Sequence, residues 1–324
     1  MKTPVSRVGN KTAILHIIYA LFPLQYGRFV DVFGGSGSVL LGKPTIDPFE
    51  VYNDYDRNLV NLFRCMKEHT LDTIRELGFC HLNSREDFNA LRRFFDYEQF
   101  DDSYLSREAE LTEILLPPPK AAELNELRSR ITKDHDVRRA AMFLKLLRYS
   151  YSSGCKSYAS QPFDIRKLFG LIWELQTRMA NVVVENQDFQ SLIRHYDRPD
   201  SFFYLDPPYL ASEDMYEVGF GWDDHLRLRD TLGGISGKFL LSYNDCPEIR
   251  DLYGNYNLFD FSRMHSMAQR YEPGKEFKEL LIANYDYYER EKARPAQLTL
   301  FDHNGENYDY EKVLKECIVS CKIR

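Results

Sequence analysis

Two periods divide this chain of 324 residues. Short apolar runs at 28–33, 182–186, 201–205, 239–244 and 280–285, with the end of another at 51–54, have the form of buried strands. Between them, apolar positions recur at helical spacing over 13–21, 57–67 and 225–232, and Val39-Leu40-Leu41 opens a further helix. Strands alternating with helices predict an α/β fold with a mainly parallel sheet covered on both faces, its last strand at 280–285.

The pattern changes twice along the chain. Over 71–137 strand-like runs vanish, charge density rises, and Phe88, Leu91, Phe94 and Phe95 recur at helical spacing. We read an inserted helical subdomain, divided by Pro117-Pro118-Pro119. The sheet domain is then 1–70 and 138–288. Within it, residues 138–168 are basic, with Arg138, Arg139, Lys145, Arg148, Lys156, Arg166 and Lys167 set among Tyr149, Tyr151, Tyr158 and Phe163. Cations interleaved with aromatics suit phosphate contact and base stacking; a solvated helix and loop has the same composition. Residues 289–324 form a polar linker and tail carrying one apolar cluster, Gln297-Leu298-Thr299-Leu300-Phe301.

Composition narrows the class. A hydrophobic content of 44% with 22 Tyr and 22 Phe excludes a disordered chain. No apolar run approaches the roughly 20 residues that span a bilayer, and residues 1–4 lack a signal peptide's apolar core, so a cytoplasmic protein is expected. Six scattered cysteines form no C-x-x-C pair and read as reduced thiols, neither a disulfide framework nor a zinc site. A net charge of −7 does not advertise a nucleic-acid partner, although a local basic face is compatible with it.

The chemistry gathers at the strand ends. Two consecutive prolines in Asp206-Pro207-Pro208-Tyr209 cannot donate to a ladder, so the run 201–205 must stop where the carboxylate begins. An acid and a ring are thus held on a stiff turn at a strand's carboxyl end, where open α/β sheets bind ligands. Such a turn suits a planar molecule carrying an amino group; an ordinary surface turn has the same sequence. Strand 28–33 runs into Gly34-Gly35-Ser36-Gly37-Ser38, glycines that let a ligand approach the backbone. Leu40 stands where a dinucleotide fingerprint needs glycine, and no Gly-Lys-Ser/Thr follows, which leaves a nucleoside-type ligand without a pyrophosphate. Asp54, about twenty residues on, is placed either for ribose hydroxyls or to cap the helix 57–67. Lys11, after Gly9-Asn10, either meets an anionic group or marks a helix entry.

In this order the pieces resemble the Dam-like N6-adenine DNA methyltransferases. The matching segments are Gly9-Asn10-Lys11, Phe33 to Val39, Asn53-Asp54, Asn186-Gln187-Asp188-Phe189, Asp206 to Tyr209 and Ser242-Tyr243-Asn244-Asp245. The resemblance implies a Rossmann-like sheet that binds S-adenosylmethionine, without a metal. Its cofactor residues would be Lys11, Phe33, Gly35, Gly37, Asp54, Asp188 and Phe189, with Asp54 on the ribose and Asp188 on the adenine. The catalytic set would be Asp206, Pro207, Pro208 and Tyr209, acting on an adenine flipped out of DNA. Cytosine-N4 methylation, or a DNA-binding homologue without activity, are the alternatives.

Two departures bear on specificity. Asn10 replaces the family's usual second glycine, and only about thirty residues separate Ser152 from strand 182–186, less than the recognition region of larger members. The target sequence therefore does not carry over: recognition is either shared with the helical insertion or simplified, and 138–168 is expected to contact the duplex. The cluster 297–301 resembles a bacterial sliding-clamp-binding peptide, with Gln297, Leu298, Leu300 and Phe301 as contacts. A monomer is expected, found at the nucleoid when bound to DNA.

Overall fold

The computed structural model describes residues 1–7, 9–78, 84–97, 110, 113–114, 117–123, 136–159, 163–210, 219–264, 276–293, 315 and 318–319. Seven strands are among them: β1 (Arg28–Asp31), β2 (Phe49–Asn53), β3 (Val182–Glu185), β4 (Ser201–Leu205), β5 (Lys238–Asn244), β6 (Asn257–Met264) and β7 (Glu276–Ala283). The chain divides into two units. One comprises Met1–Asn10, Gly35–Leu41 and Asp54–Asn186; the other comprises Lys11–Gly34, Gly42–Asn53 and Gln187–Arg324.

Six of the strands belong to the second unit, in the order β2-β1-β4-β5-β7-β6. Pairing is parallel through Val30↔Val51, Val30↔Phe203 and Phe203↔Phe239, as the continuous apolar runs predict. All five residues of β4 are buried, which places the turn that follows it at the edge of a rigid layer. Phe22, after the helix Leu15–Ala20, stacks on Phe29 with ring centroids 5.7 Å apart and meets Phe202 edge-on at 4.7 Å.

The sheet departs from expectation at its other end. β7 runs antiparallel to β5, with Leu241↔Ile282, and to β6, with Phe259↔Leu281. The sequence reading has no counterpart to β6. Its buried Phe259 and Phe261 alternate with Asp260 and Ser262, the period of an antiparallel strand with one face covered. A search tuned to continuous apolar runs passes over that pattern.

The first unit is mainly helical. Its helix Arg57–Glu68 is capped by Asp56, whose carboxylate accepts from Asn58 and Leu59 N–H. Asp54 is thereby released from the capping role that the sequence left open. The helix Arg85–Tyr97 lies within the stretch 71–137: its Phe88 is buried against Tyr158, and its Phe95 meets Phe143 of the helix Val137–Tyr149 at 5.6 Å. Among the described residues Cys65, Cys155 and Cys246 form no disulfide. Among the described residues no helix is long and apolar enough to cross a membrane.

The glycine loop has the backbone that its sequence requires. Gly35 and Gly37 lie at φ of 52° and 69°, in the left-handed region, before the short helix Ser38–Gly42. A Cβ on Gly37 would also sit 3.0 Å from Cζ of Phe63. Gly37→Ala should therefore destabilise the fold by about 1–3 kcal/mol, seen as a lower urea midpoint with an unchanged slope. An unchanged midpoint would show that the loop relaxes freely.

Candidate active site

β4 ends at Leu205, and Asp206 begins the turn. Its Oδ1 lies 2.8 Å from Nζ of Lys11, an ammonium on a residue only 3% exposed. Burial pushes the Asp206 carboxyl above its ordinary range and Lys11 opposes this; more weakly, Glu279 raises it and Arg263 lowers it. A carboxylate offers about four lone-pair sites, so a single ammonium leaves most of its acceptor capacity uncommitted. Pro207 is buried and Pro208 half-buried, which fixes the turn.

Tyr209 is tethered at its far end. Its hydroxyl donates to Oε2 of Glu279 at 2.8 Å and lies 3.0 Å from Oγ of Ser242 on β5. The Lys11 ammonium stands 4.8 Å from the centre of its ring. Burial, with the Asp206 and Glu279 carboxylates nearby, holds the phenol neutral. Glu279 is 3% exposed, and its Oε1 receives Nε and Nη2 of Arg263 at 2.8 and 2.7 Å. The half-buried Asp206 and the buried Glu279 thus each have a cation of their own.

A second cluster lies in the same unit. Phe33, Phe189 and Phe220 form a triangle with centroid separations of 5.7, 5.8 and 5.8 Å. Asp188 caps the helix Phe189–Tyr196 by accepting from Gln190 N–H, and takes a two-pronged bond from Arg227, 2.9 Å at each oxygen. Those three bonds leave room for one more on Oδ2. Asn53, buried at the end of β2, ties Val32 O and both the N–H and O of Gln187 through its amide.

In the first unit, Asp54 accepts from Gly35 N–H and Asp56 N–H, both at 2.8 Å. Its carboxyl is raised by burial and lowered by Arg7, which itself pairs with Asp56 at 2.8 Å. Asn186 holds the Asp54 carbonyl through Nδ2 at 2.8 Å. The acid therefore clamps the glycine loop and keeps acceptor capacity besides.

A model of the D12 class N6 adenine-specific DNA methyltransferases matches residues 8–270. The chain belongs to this family. Among similar proteins is the type II methyltransferase M.CviBI of Paramecium bursaria Chlorella virus NC1A, 21% identical over 261 residues, covering 79% of this chain and 88% of that protein. Another is the modification methylase LlaI of Lactococcus lactis subsp. lactis, 22% identical over 312 residues, covering 89% of this chain and 44% of that protein.

In this methyltransferase the expected site residues fall into three groups. Lys11, Asp206 and Tyr209 stand together, as do Phe33, Asp188 and Phe189, and so do Gly35 and Asp54. Lys11 meets the carboxylate of the turn after β4. Sequence reasoning did not assign Phe220, Arg227, Arg263 or Glu279. Glu279 left a trace, since it heads the buried run Leu280 to Ala283, where a carboxylate needs a partner.

The basic stretch is partly interior. Arg139 donates to Asn58 at 2.6 Å, Lys145 to the Glu76 carbonyl at 3.0 Å, and Arg148 to the Pro4 carbonyl. Arg166 pairs with Asp164. Arg138, Lys156, Arg166 and Lys167 are exposed, as is Tyr151. The cluster 297–301 lies outside the described residues.

Proposed function

We propose that this methyltransferase moves a methyl group from S-adenosylmethionine to N6 of an adenine that has left the duplex stack. The observation that carries this reading is the pairing of buried Lys11 with half-buried Asp206 beside the tethered Tyr209 ring at the end of β4. An adenine amino group is a poor nucleophile because its lone pair is delocalised into the ring. The Asp206 carboxylate and the Pro207 carbonyl, both acceptors, would draw its hydrogens aside and favour a pyramidal nitrogen. Lys11 opposes the rise that desolvation imposes on the carboxyl and so favours its ionised form. Tyr209 offers a fixed face to the base, offsetting part of the few kcal/mol that unstacking costs. Alignment of this kind supplies much of the acceleration in a two-substrate transfer.

S-adenosylmethionine, when bound, supplies an electrophilic methyl group on its sulfonium. The residues assigned to hold it have suitable donor and acceptor capacity. Asp54 has acceptor sites left for ribose hydroxyls, and Oδ2 of Asp188 has one for an amino group. Phe33, half-buried beside Phe189, offers an apolar surface to a planar base, and Gly35 and Gly37 give the loop its positive φ. Arg138, Lys156, Lys167 and Tyr151 form the outward part of the stretch assigned to the DNA backbone.

Incubation of unmodified duplex DNA with the protein and methyl-tritiated cofactor tests the reading. Label should appear in precipitated DNA and require both DNA and cofactor. A protein that binds the cofactor yet labels no DNA would overturn it.

A further inference from the structure

We infer that Glu279, held by Arg263, is a positioning residue that sets the orientation of the Tyr209 ring. The inference rests on the proposed contact between Tyr209 and the extruded base. Tyr209 belongs to a turn, and a turn alone leaves an aromatic ring free to rotate about its two side-chain torsions. Its hydroxyl, however, reaches a carboxylate at 2.8 Å and a serine hydroxyl at 3.0 Å, so the ring is fixed at both ends.

Strand register places the other partners. Glu279 is directly opposite Asn244 on β5 and Phe261 on β6. Ser242 and Arg263 are two residues along those strands, on the same face and diagonal to Glu279; Arg263 reaches its Oε1, and Ser242 reaches the Tyr209 hydroxyl. Arg263 occupies Oε1 with two nitrogens, which aims Oε2 at the phenol. A carboxylate 3% exposed is costly to keep without a task, and Arg263 together with the tyrosine hydroxyl satisfies both of its oxygens. Glu279 bears weakly on the turn's acid by charge, and its hydrogen bonds go to Arg263 and to the Tyr209 hydroxyl, so its main hold is on the ring.

The test compares Glu279→Ala, Glu279→Gln, Tyr209→Phe and the double variant Glu279→Ala with Tyr209→Phe. The readouts are single-turnover methylation of saturating DNA, cofactor affinity and thermal midpoint. Glu279→Ala should slow the methyl-transfer step between about tenfold and 100-fold, the scale of a small misplacement, with cofactor affinity unchanged. Glu279→Gln, whose amide can bond both the phenol and Arg263, should recover most of the rate. Tyr209→Phe should lose a similar factor, and adding Glu279→Ala to it should cost less than about threefold more, because one tether can be broken only once.

Losses that multiply in the double variant would overturn the inference, as would a Gln variant no better than Ala. If Glu279→Ala does not fold, the remaining pair decides: Tyr209→Phe at the wild-type rate would equally overturn it. Failure of the underlying reading looks different, since the unaltered protein would then label no DNA at all.

Discussion

Asp206→Ala should lower the single-turnover rate of methyl transfer by at least about 10²–10³-fold, the loss that follows removal of a preorganised polar group from a reacting centre. Cofactor affinity should stay nearly constant. Asp206 lies in the second unit on the turn after β4, and among the described residues its ionic partner is Lys11. The acid assigned to the ribose is Asp54, whose bonds go to Gly35 and Asp56. Rapid-quench labelling measures the rate, and calorimetric titration with the cofactor measures the affinity. Activity that survives the substitution would show that another group accepts from the target amine. Loss of cofactor binding alongside activity would move Asp206 into the cofactor site.

The second large effect concerns Lys11. Asp206 is the stronger acceptor when ionised, since a proton turns one oxygen into a donor, and burial raises its carboxyl while Lys11 pulls it back down. Activity should therefore fall as pH drops through the raised value, as the acceptor takes up a proton. Lys11→Met removes the ammonium but keeps an apolar stem, so the carboxyl rises further and the acid limb of the rate profile moves to higher pH. At neutral pH the rate should drop by about tenfold or more, within the range attributed to correct protonation at a reacting centre. A rate profile measured across the acid range checks this, and an acid limb that stays in place would show that Lys11 does not set the charge on Asp206. The linkage has the opposite sign for stability. A carboxyl raised in the folded state binds protons more tightly there than in the unfolded chain, so the stability it confers is lost as pH rises through the folded value. Ionised Asp206 is thus held at the expense of the fold, as functional groups often are.

How much of this was legible depended on how local the signal was. β4 and its turn could be read because five buried residues and two prolines are contiguous. The loop 34–38 was legible because glycines mark positive φ directly. Whether Asp54 caps the helix that follows could not be read from the sequence, since only the backbone geometry shows that Asp56 accepts the helix's first N–H groups. Arg139 and Lys145 counted toward a basic surface by composition, yet their heads turn inward to Asn58 and Glu76. Glu279 and Arg263 were least legible. They become neighbours only through the register of two antiparallel strands, one of them with too polar a pattern to stand out.

Nucleoside analysis of methylated DNA tests the central claim most directly. Duplex DNA incubated with cofactor and the unaltered protein is digested and separated by mass, beside a reaction with Asp206→Ala. The account predicts N6-methyladenine from the first and none above background from the second. N4-methylcytosine from the unaltered protein, or N6-methyladenine undiminished by Asp206→Ala, would contradict it.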